Sequence, residues 1–431
     1  MSSVAKEFSR ALASHQSGDF AAAESRYRQI LVRAPKDITV LYHLGIVLHQ
    51  QGKLEEASRV LAKTVANAPD FYEAHFSLGV VLKELGRKGE AEVSLRRAIS
   101  LQPGMQKALL RLGELLLAQA KYTEAASLLQ RAIQLRDNDA DAWLSLSVAL
   151  RNLDLLKEAI EANSRAIALD GSDDNTHSEM ANLVYLLYQR DPESARQHAR
   201  QWIEAFPNNV FAQHIGSGVL GLTAPDRASN NYVKKLFDNF AGTFEDQLAK
   251  LGYNVADIVN TMAELADSKD GLVILDAGCG TGLAAPSLRQ KASRLVGVDI
   301  SPRMLEKARE KGLYDELVEM ELGEFLKTRK AAFDLIVAFD VLNYFGDLES
   351  LLDDASHALL PGGRLAFSVE CGDEGSSFVL SPHGRYSHDK DYIIRVIKQS
   401  GLHVRKMQES VLRYEFGKPV NTFLILATKP A

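Results

Sequence analysis

The stretch Asp276-Ala-Gly-Cys-Gly-Thr-Gly282 sets three glycines at alternate positions behind an acidic residue. Glycines let a backbone run within contact distance of a ligand. The dinucleotide fingerprint is G-x-G-x-x-G, with a pyrophosphate resting on the following helix N-terminus. Here the third glycine comes one residue early, Leu283 follows it, and Asp276 would repel a pyrophosphate. The loop therefore suits a nucleoside ligand that lacks phosphate and carries positive charge. Asp299, about 20 residues on, stands where a carboxylate can accept both hydroxyls of a ribose. Cys279 reads as a small loop residue rather than a reactive thiol.

Asp340, Tyr344, Glu370, Arg385, Tyr386 and His388 follow expected strands, where open α/β sheets place ligands. His388 titrates near neutral pH and suits a general base, although it also precedes the helix start at Asp389. Glu370 suits a cationic or hydroxyl-bearing acceptor. Asp340 either orients an acceptor or caps a turn. Arg385 and Tyr386 suit an anionic group. Tyr232, Phe237, Phe240 and Phe244 recur at helical spacing, as core or as a cover over the ligand.

Strands alternating with helices must hold these groups. Strands are expected at Leu272–Leu275, Arg294–Val298, Leu317–Leu322, Phe333–Ala338 and Arg364–Val369, the first two leading into the glycine loop and Asp299. Two more, His403–Leu412 and Thr422–Thr428, form a terminal antiparallel hairpin around Gly417-Lys-Pro419. With this loop, acid and hairpin, residues from about 231 to 429 resemble class I S-adenosylmethionine-dependent methyltransferases. The resemblance implies S-adenosylmethionine as cofactor. It places Asp276, Gly278, Cys279 and Gly280 at the methionine part, Asp299 at the ribose, and Ile300 and Met304 beside the adenine. Glu321, where many relatives carry aspartate, and Leu322 fall at the adenine amino group. Ala338 and Phe339 face cofactor and substrate. Asp340, Glu370, Tyr386 and His388 are the catalytic candidates, and no metal is expected.

The first half repeats itself. Ala23, Ala57, Ala91, Ala125 and Ala159 recur every 34 residues, as do Ala11, Gly45, Gly79, Gly113 and Ser147. Tyr27, Leu61, Leu95, Leu129 and Asn163 keep the same frame, and Pro35, Pro69 and Pro103 close repeats. Small residues in both helices of a pair allow close approach, and proline stops the second helix. This pattern resembles the tetratricopeptide repeat family over roughly residues 4–173, with a degenerate sixth unit around Ala195 and Pro207. The expected architecture is an α-solenoid of such repeats (1–222), a linker (223–230) and a Rossmann-like α/β methyltransferase domain (231–431). Tyr232–Phe244 and Pro382–His388 resemble stretches of bacterial predicted methyltransferases that carry these repeats.

The groove positions Tyr42, Ile46, Phe76, Val80, Leu110, Glu114, Leu144 and Val148 are expected to hold a protein or peptide, or else the chain's own second domain. The expected function is methylation of a protein or peptide recruited partly by the repeats. The alternatives are a small-molecule or sugar O-methyltransferase and a catalytically weak peptide-binding scaffold. A net charge of −6 with no concentrated basic face argues against nucleic acid. Two cysteines, no apolar leader and no long apolar run point to a reduced, cytoplasmic protein without membrane contact.

Overall fold

The computed structural model describes residues 3–251, 270–415 and 418–431. Its contacts divide the chain into two units, Met1–Leu183 and Val184–Ala431. In the first, helices follow one another in pairs, from Ser3–Gln16 with Phe20–Arg33 to Ala140–Asn152 with Leu156–Leu169. The repeat frame has a direct steric cause. A Cβ on Gly45, Gly79 or Gly113 would lie 2.6, 2.7 or 2.8 Å from Leu61, Leu95 or Leu129, the large residue of the same frame in the partner helix. Where serine replaces glycine, Ser147 Oγ donates to the Ala159 carbonyl at 2.9 Å.

The turn inside each pair is also periodic. Gly18, Gly52, Gly86, Ala120 and Asp154 all have positive φ, at successive intervals of 34 residues. Each follows a helix end closed by the paired backbone bonds of a Schellman motif, for example Lys53 N–H to Leu48 O and Gly52 N–H to His49 O. Ala120 and Asp154 therefore take a conformation that glycine adopts without steric cost. An ion cluster recurs at twice the repeat: Glu24 pairs with Lys53 and Arg28, and Glu92 with Lys121 and Arg96.

The second unit holds the Pro192–Ala205, Val210–Leu220, Asn230–Phe240 and Phe244–Lys250 helices ahead of the sheet. The strands described are β1 Leu272–Ala277, β2 Ala292–Asp299, β3 Glu316–Glu319, β4 Phe333–Ala338, β5 Leu359–Cys371, β6 Phe378–Leu380, β7 Tyr386–His388, β8 His403–Glu415 and β9 Lys418–Thr428. They run in the order β3-β2-β1-β4-β5-β7-β6, with β9 antiparallel to β5 and β8 antiparallel to β9. The strands here are parallel, but the order in which successive strands are added reverses between β1 and β4, and that switch point is where such sheets bind ligands. The expected fold is therefore present, with Gly417 of the expected turn outside the described residues.

Two expectations about boundaries need correction. The Val210–Leu220 helix groups with the sheet unit: His214 Nε2 donates to the Gly384 carbonyl at 2.9 Å, and a Cβ on Gly218 would meet the Ser381 carbonyl at 2.6 Å. Residues 223–230 are not a free linker. The Asp226 carbonyl accepts from Gly346 and Asp347 N–H at 2.8 Å, and Ala228 N–H donates to Tyr344 O at 2.9 Å. Among the described residues no helix is long and apolar enough to cross a membrane.

Candidate active site

Buried β1 and β2 deliver the glycine loop and Asp299 to the switch point side by side, with Ala277 level with Val298. Gly278, Gly280 and Gly282 all have positive φ, so the loop folds in a way that side chains resist. At Gly278 a Cβ would lie 2.5 Å from Val341. At Gly280 the nearest atom would be a Phe244 ring carbon at 3.8 Å, leaving contact space above the loop for a ligand. Asp299 accepts from Gly280 N–H and Ser301 N–H, each at 2.8 Å. Two close donors on a carboxylate with roughly four acceptor positions leave one on each oxygen, which fits a ribose diol. Burial pushes the Asp299 carboxyl up to about 6.

Asp276 differs from expectation. It is buried beneath the loop, accepts from Tyr314 Oη at 2.6 Å, and is pushed by burial up to about 6. Tyr314, which holds it there, is a residue the sequence reading missed. Cys279 is buried and its thiol is raised by burial, consistent with a loop residue. Ile300 and Phe339 are half-buried, whereas Met304, Leu322 and Ala338 are buried. Glu321 caps the Leu322–Lys327 helix through Gly323 and Glu324 N–H at 2.9 Å and pairs with Arg227 at 2.9 Å. An adenine amino group would have to share a carboxylate already engaged by three donors.

On the other side of the switch point, β7 continues the edge of β5 beyond the end of β4, with Ser387 opposite Glu370. This brings together Asp340, Glu370 and Arg385 but corrects the catalytic candidates His388 and Tyr386. His388 is fully buried, its Nε2 donates to the Gly346 carbonyl at 2.9 Å, and burial lowers its pKa to about 4. It is a neutral structural imidazole, stacked on Tyr392. Tyr386 is also fully buried and donates to the Pro225 carbonyl at 2.9 Å. Neither side chain reaches an acceptor from there.

Glu370 and Asp340 belong to an ion network centred on Arg413, a residue the sequence reading did not single out. Arg413, 2% exposed, donates to Asp340 and Glu370 at 2.6 Å each and to Glu415 at 2.8 Å. Arg385 donates to Glu370 at 2.7 Å and also pairs with Glu415. Burial alone would raise the Glu370 carboxyl, but Arg385, His383 and Arg413 hold it below its ordinary value. Arg385 and Arg413 likewise overcome burial and bring Glu415 down to about 2. His383 accepts from Arg385 N–H at Nδ1 (3.3 Å) and turns Nε2 toward Glu370 (3.4 Å). Burial and Arg385 lower its pKa to about 4. Tyr344 stands against Arg385, its hydroxyl pushed by burial up to about 12, with Phe237 edge-on at 5.5 Å. Among the described residues no group of acidic, histidine or cysteine side chains could hold a metal ion.

Residues 275–367 match the methyltransferase domain family, and residues 14–78, 72–104 and 110–174 match tetratricopeptide repeat families. The chain carries tetratricopeptide repeats followed by an S-adenosylmethionine-dependent methyltransferase domain. It is 26% identical over 221 residues to the ubiquinone biosynthesis O-methyltransferase of Xylella fastidiosa, covering 45% of this chain and 87% of that protein. It is 32% identical over 130 residues to the magnesium-protoporphyrin O-methyltransferase of Rhodobacter capsulatus, covering 27% of this chain and 58% of that one. A solved MamA structure from Desulfovibrio magneticus RS-1 covers 40% of this chain and 99% of its own, at 21% identity and TM-score 0.38.

Proposed function

We propose that this methyltransferase acts on an acidic hydroxyl, a phenol or enol, of a small molecule, and that its repeats serve a protein partner. The reading rests on the state of the two imidazoles at the acceptor edge. His383 and His388 are both neutral, and the nitrogen that would take a proton is engaged or sealed off: His383 Nδ1 accepts the Arg385 N–H, and His388 Nδ1 is buried with no partner. Neither is poised to take a proton, so the acceptor is one that ionises readily by itself. S-adenosylmethionine, when bound, supplies an electrophilic methyl group. Gly278 and Gly280 bring the backbone against its methionine part, and Asp299 holds its ribose. Phe237 and Tyr344 offer an aromatic wall for the acceptor. Alignment and exclusion of water then supply most of the catalysis. The two O-methyltransferase relatives support an oxygen acceptor.

The test is a labelled-cofactor screen of substituted phenols, aliphatic alcohols, amines and peptides. Phenols should be methylated, with the pH midpoint of kcat/KM following the pKa of each phenol. A midpoint fixed near 6.5 across the series would point to an enzyme histidine instead. A methylated polypeptide recovered from lysate, with phenols inert, would return the acceptor to the protein class.

A further inference from the structure

Four positions of the repeat frame build an ion ladder along the first unit. In one rung Glu24 bonds Arg28 at 2.6 Å and Lys53 at 2.8 Å, and Arg28 also pairs with Glu56. Two repeats on, Glu92 bonds Arg96 and Lys121 at 2.8 Å each, and Arg96 meets Glu124 at 2.6 Å. The repeat between them puts Ser58, Ala62, Arg87 and Glu90 at the same four positions. This rung lacks its central glutamate and its first cation. Arg87 therefore finds no carboxylate where Lys53 and Lys121 find one, and it turns to Glu90, three residues on, at 2.6 Å.

A cavity of about 500 Å³ opens at the missing side chains. That size lies within the range of ligand sites, about 300–1,000 Å³. Buried Leu78 and Leu82 line it with Ala62, and Val93 beside them is 70% exposed. Arg59 lines it too; its Nε reaches the Glu55 carbonyl at 3.4 Å, and among the described residues it joins no ion pair. Exposed pairs such as Arg87–Glu90 contribute little, so Arg87 can exchange Glu90 for an incoming carboxylate at small cost. The frame has another gap, at Ala126 and Gln130, but there Leu155 stands in place of Arg87. The expected groove positions, Tyr42 and Phe76 among them, do not line the cavity.

We infer that this cavity docks a polypeptide segment presenting a large apolar side chain beside an acidic one. The apolar side chain enters over Leu78, Leu82 and Val93, in the space an arginine at position 62 would fill. The carboxylate stands in for the glutamate absent at Ser58 and meets Arg87 and Arg59. An apolar anchor ringed by polar contacts is how small interfaces concentrate their affinity. This rests on the reading that the repeats serve a protein partner.

A random-peptide phage library panned on the full chain, followed by titration of the selected peptides, tests it. Sequences with a large apolar residue next to aspartate or glutamate should be enriched. Ser58→Glu with Ala62→Arg completes the rung and fills the cavity, so it should abolish binding and melt no lower than wild type. Val93→Ser and Arg59→Gln, both at exposed positions, should each weaken binding about tenfold with unchanged melting, and they decide the matter even where the double variant melts early. Selected sequences without acidic residues, or wild-type affinity in both single variants, would overturn the site. Self-association of the free chain that the double variant abolishes would give the cavity to a second copy instead. Peptides released only by Tyr42→Ala with Phe76→Ala would move the partner to the groove, overturning the cavity while sparing the protein-partner reading. No enriched sequence at all would overturn both.

Discussion

Asp299→Asn separates the cofactor role of this residue from its structural one. The carboxylate accepts N–H groups of Gly280 and Ser301 at 2.8 Å, one on each oxygen. An amide of the same shape keeps one of these bonds and turns an NH2 toward the other donor. It also removes a negative charge beside buried Asp276, whose carboxyl is raised by burial and then by Asp299. Loss and relief oppose each other in the free protein, so its melting temperature should move by only a few degrees. In the complex there is no such offset, because the NH2 group cannot accept a ribose hydroxyl. One hydrogen bond to a charged group contributes about 1.5–3 kcal/mol. At about 1.4 kcal/mol per decade, S-adenosylhomocysteine affinity should fall roughly ten- to a hundredfold. Titration calorimetry on wild type and variant reads this directly. Affinities within threefold of each other would show that Asp299 does not meet the cofactor.

Two further outcomes follow from the geometry. Ala120→Gly and Asp154→Gly should each stabilise the repeat unit, by about 1 kcal/mol, because both residues sit at positive φ where glycine occupies the equivalent turns; urea unfolding followed by circular dichroism would read it, and a loss of stability in both would refute the strain. Burial raises the Asp276 and Asp299 carboxyls to about 6, so the folded protein holds these protons more tightly than the unfolded chain, and their contribution to stability is larger below about pH 4 and is lost as pH rises through 6. A cationic ligand needs them ionised, so S-adenosylmethionine affinity should fall as pH drops below about 6; calorimetric affinity that is flat from about pH 5 to 8 would contradict this.

The repeat frame was legible because one steric rule recurs: glycine at 45, 79 and 113 faces leucine at 61, 95 and 129. The left-handed turn was half visible, since Gly18, Gly52 and Gly86 keep the period that Ala120 and Asp154 then break. The glycine loop and Asp299 were legible because their chemistry depends on local spacing. His388 and Tyr386 were misjudged because β6 and β7 are only three residues long, too short for an alternation to reveal a buried strand. Burial there comes from Gly346 and Pro225, remote in sequence. Arg413 was invisible for another reason. A register shift between Val411 and Arg413 turns consecutive Leu412 and Arg413 both inward, against the alternation a regular strand would show.

That bulge explains how the acceptor edge is held together. A regular β8 would turn either Leu412 or Arg413 outward, and only the inward arginine can meet carboxylates from two other places in the chain as well as one on its own strand. Its guanidinium joins Asp340 after β4 and Glu370 on β5 to Glu415 on its own strand. Arg385, before β7, then bridges Glu370 and Glu415 from the hairpin side. Burying Glu370 and Arg413, with three more charged groups half-buried around them, is costly, and a well-packed apolar core of the same shape is often at least as stable. Stability alone therefore does not account for the network. What it does provide is a fixed position for Asp340, whose backbone stands at φ 59 at the end of β4, next to the loop that carries Tyr344. A strained non-glycine residue persists only where its surroundings over-determine it. Here Arg413, Asn343 and the bond from Asp340 N–H to Ser368 Oγ do so together. The edge proposed to take the acceptor is thus set before any ligand arrives, which suits the proposed catalysis by alignment.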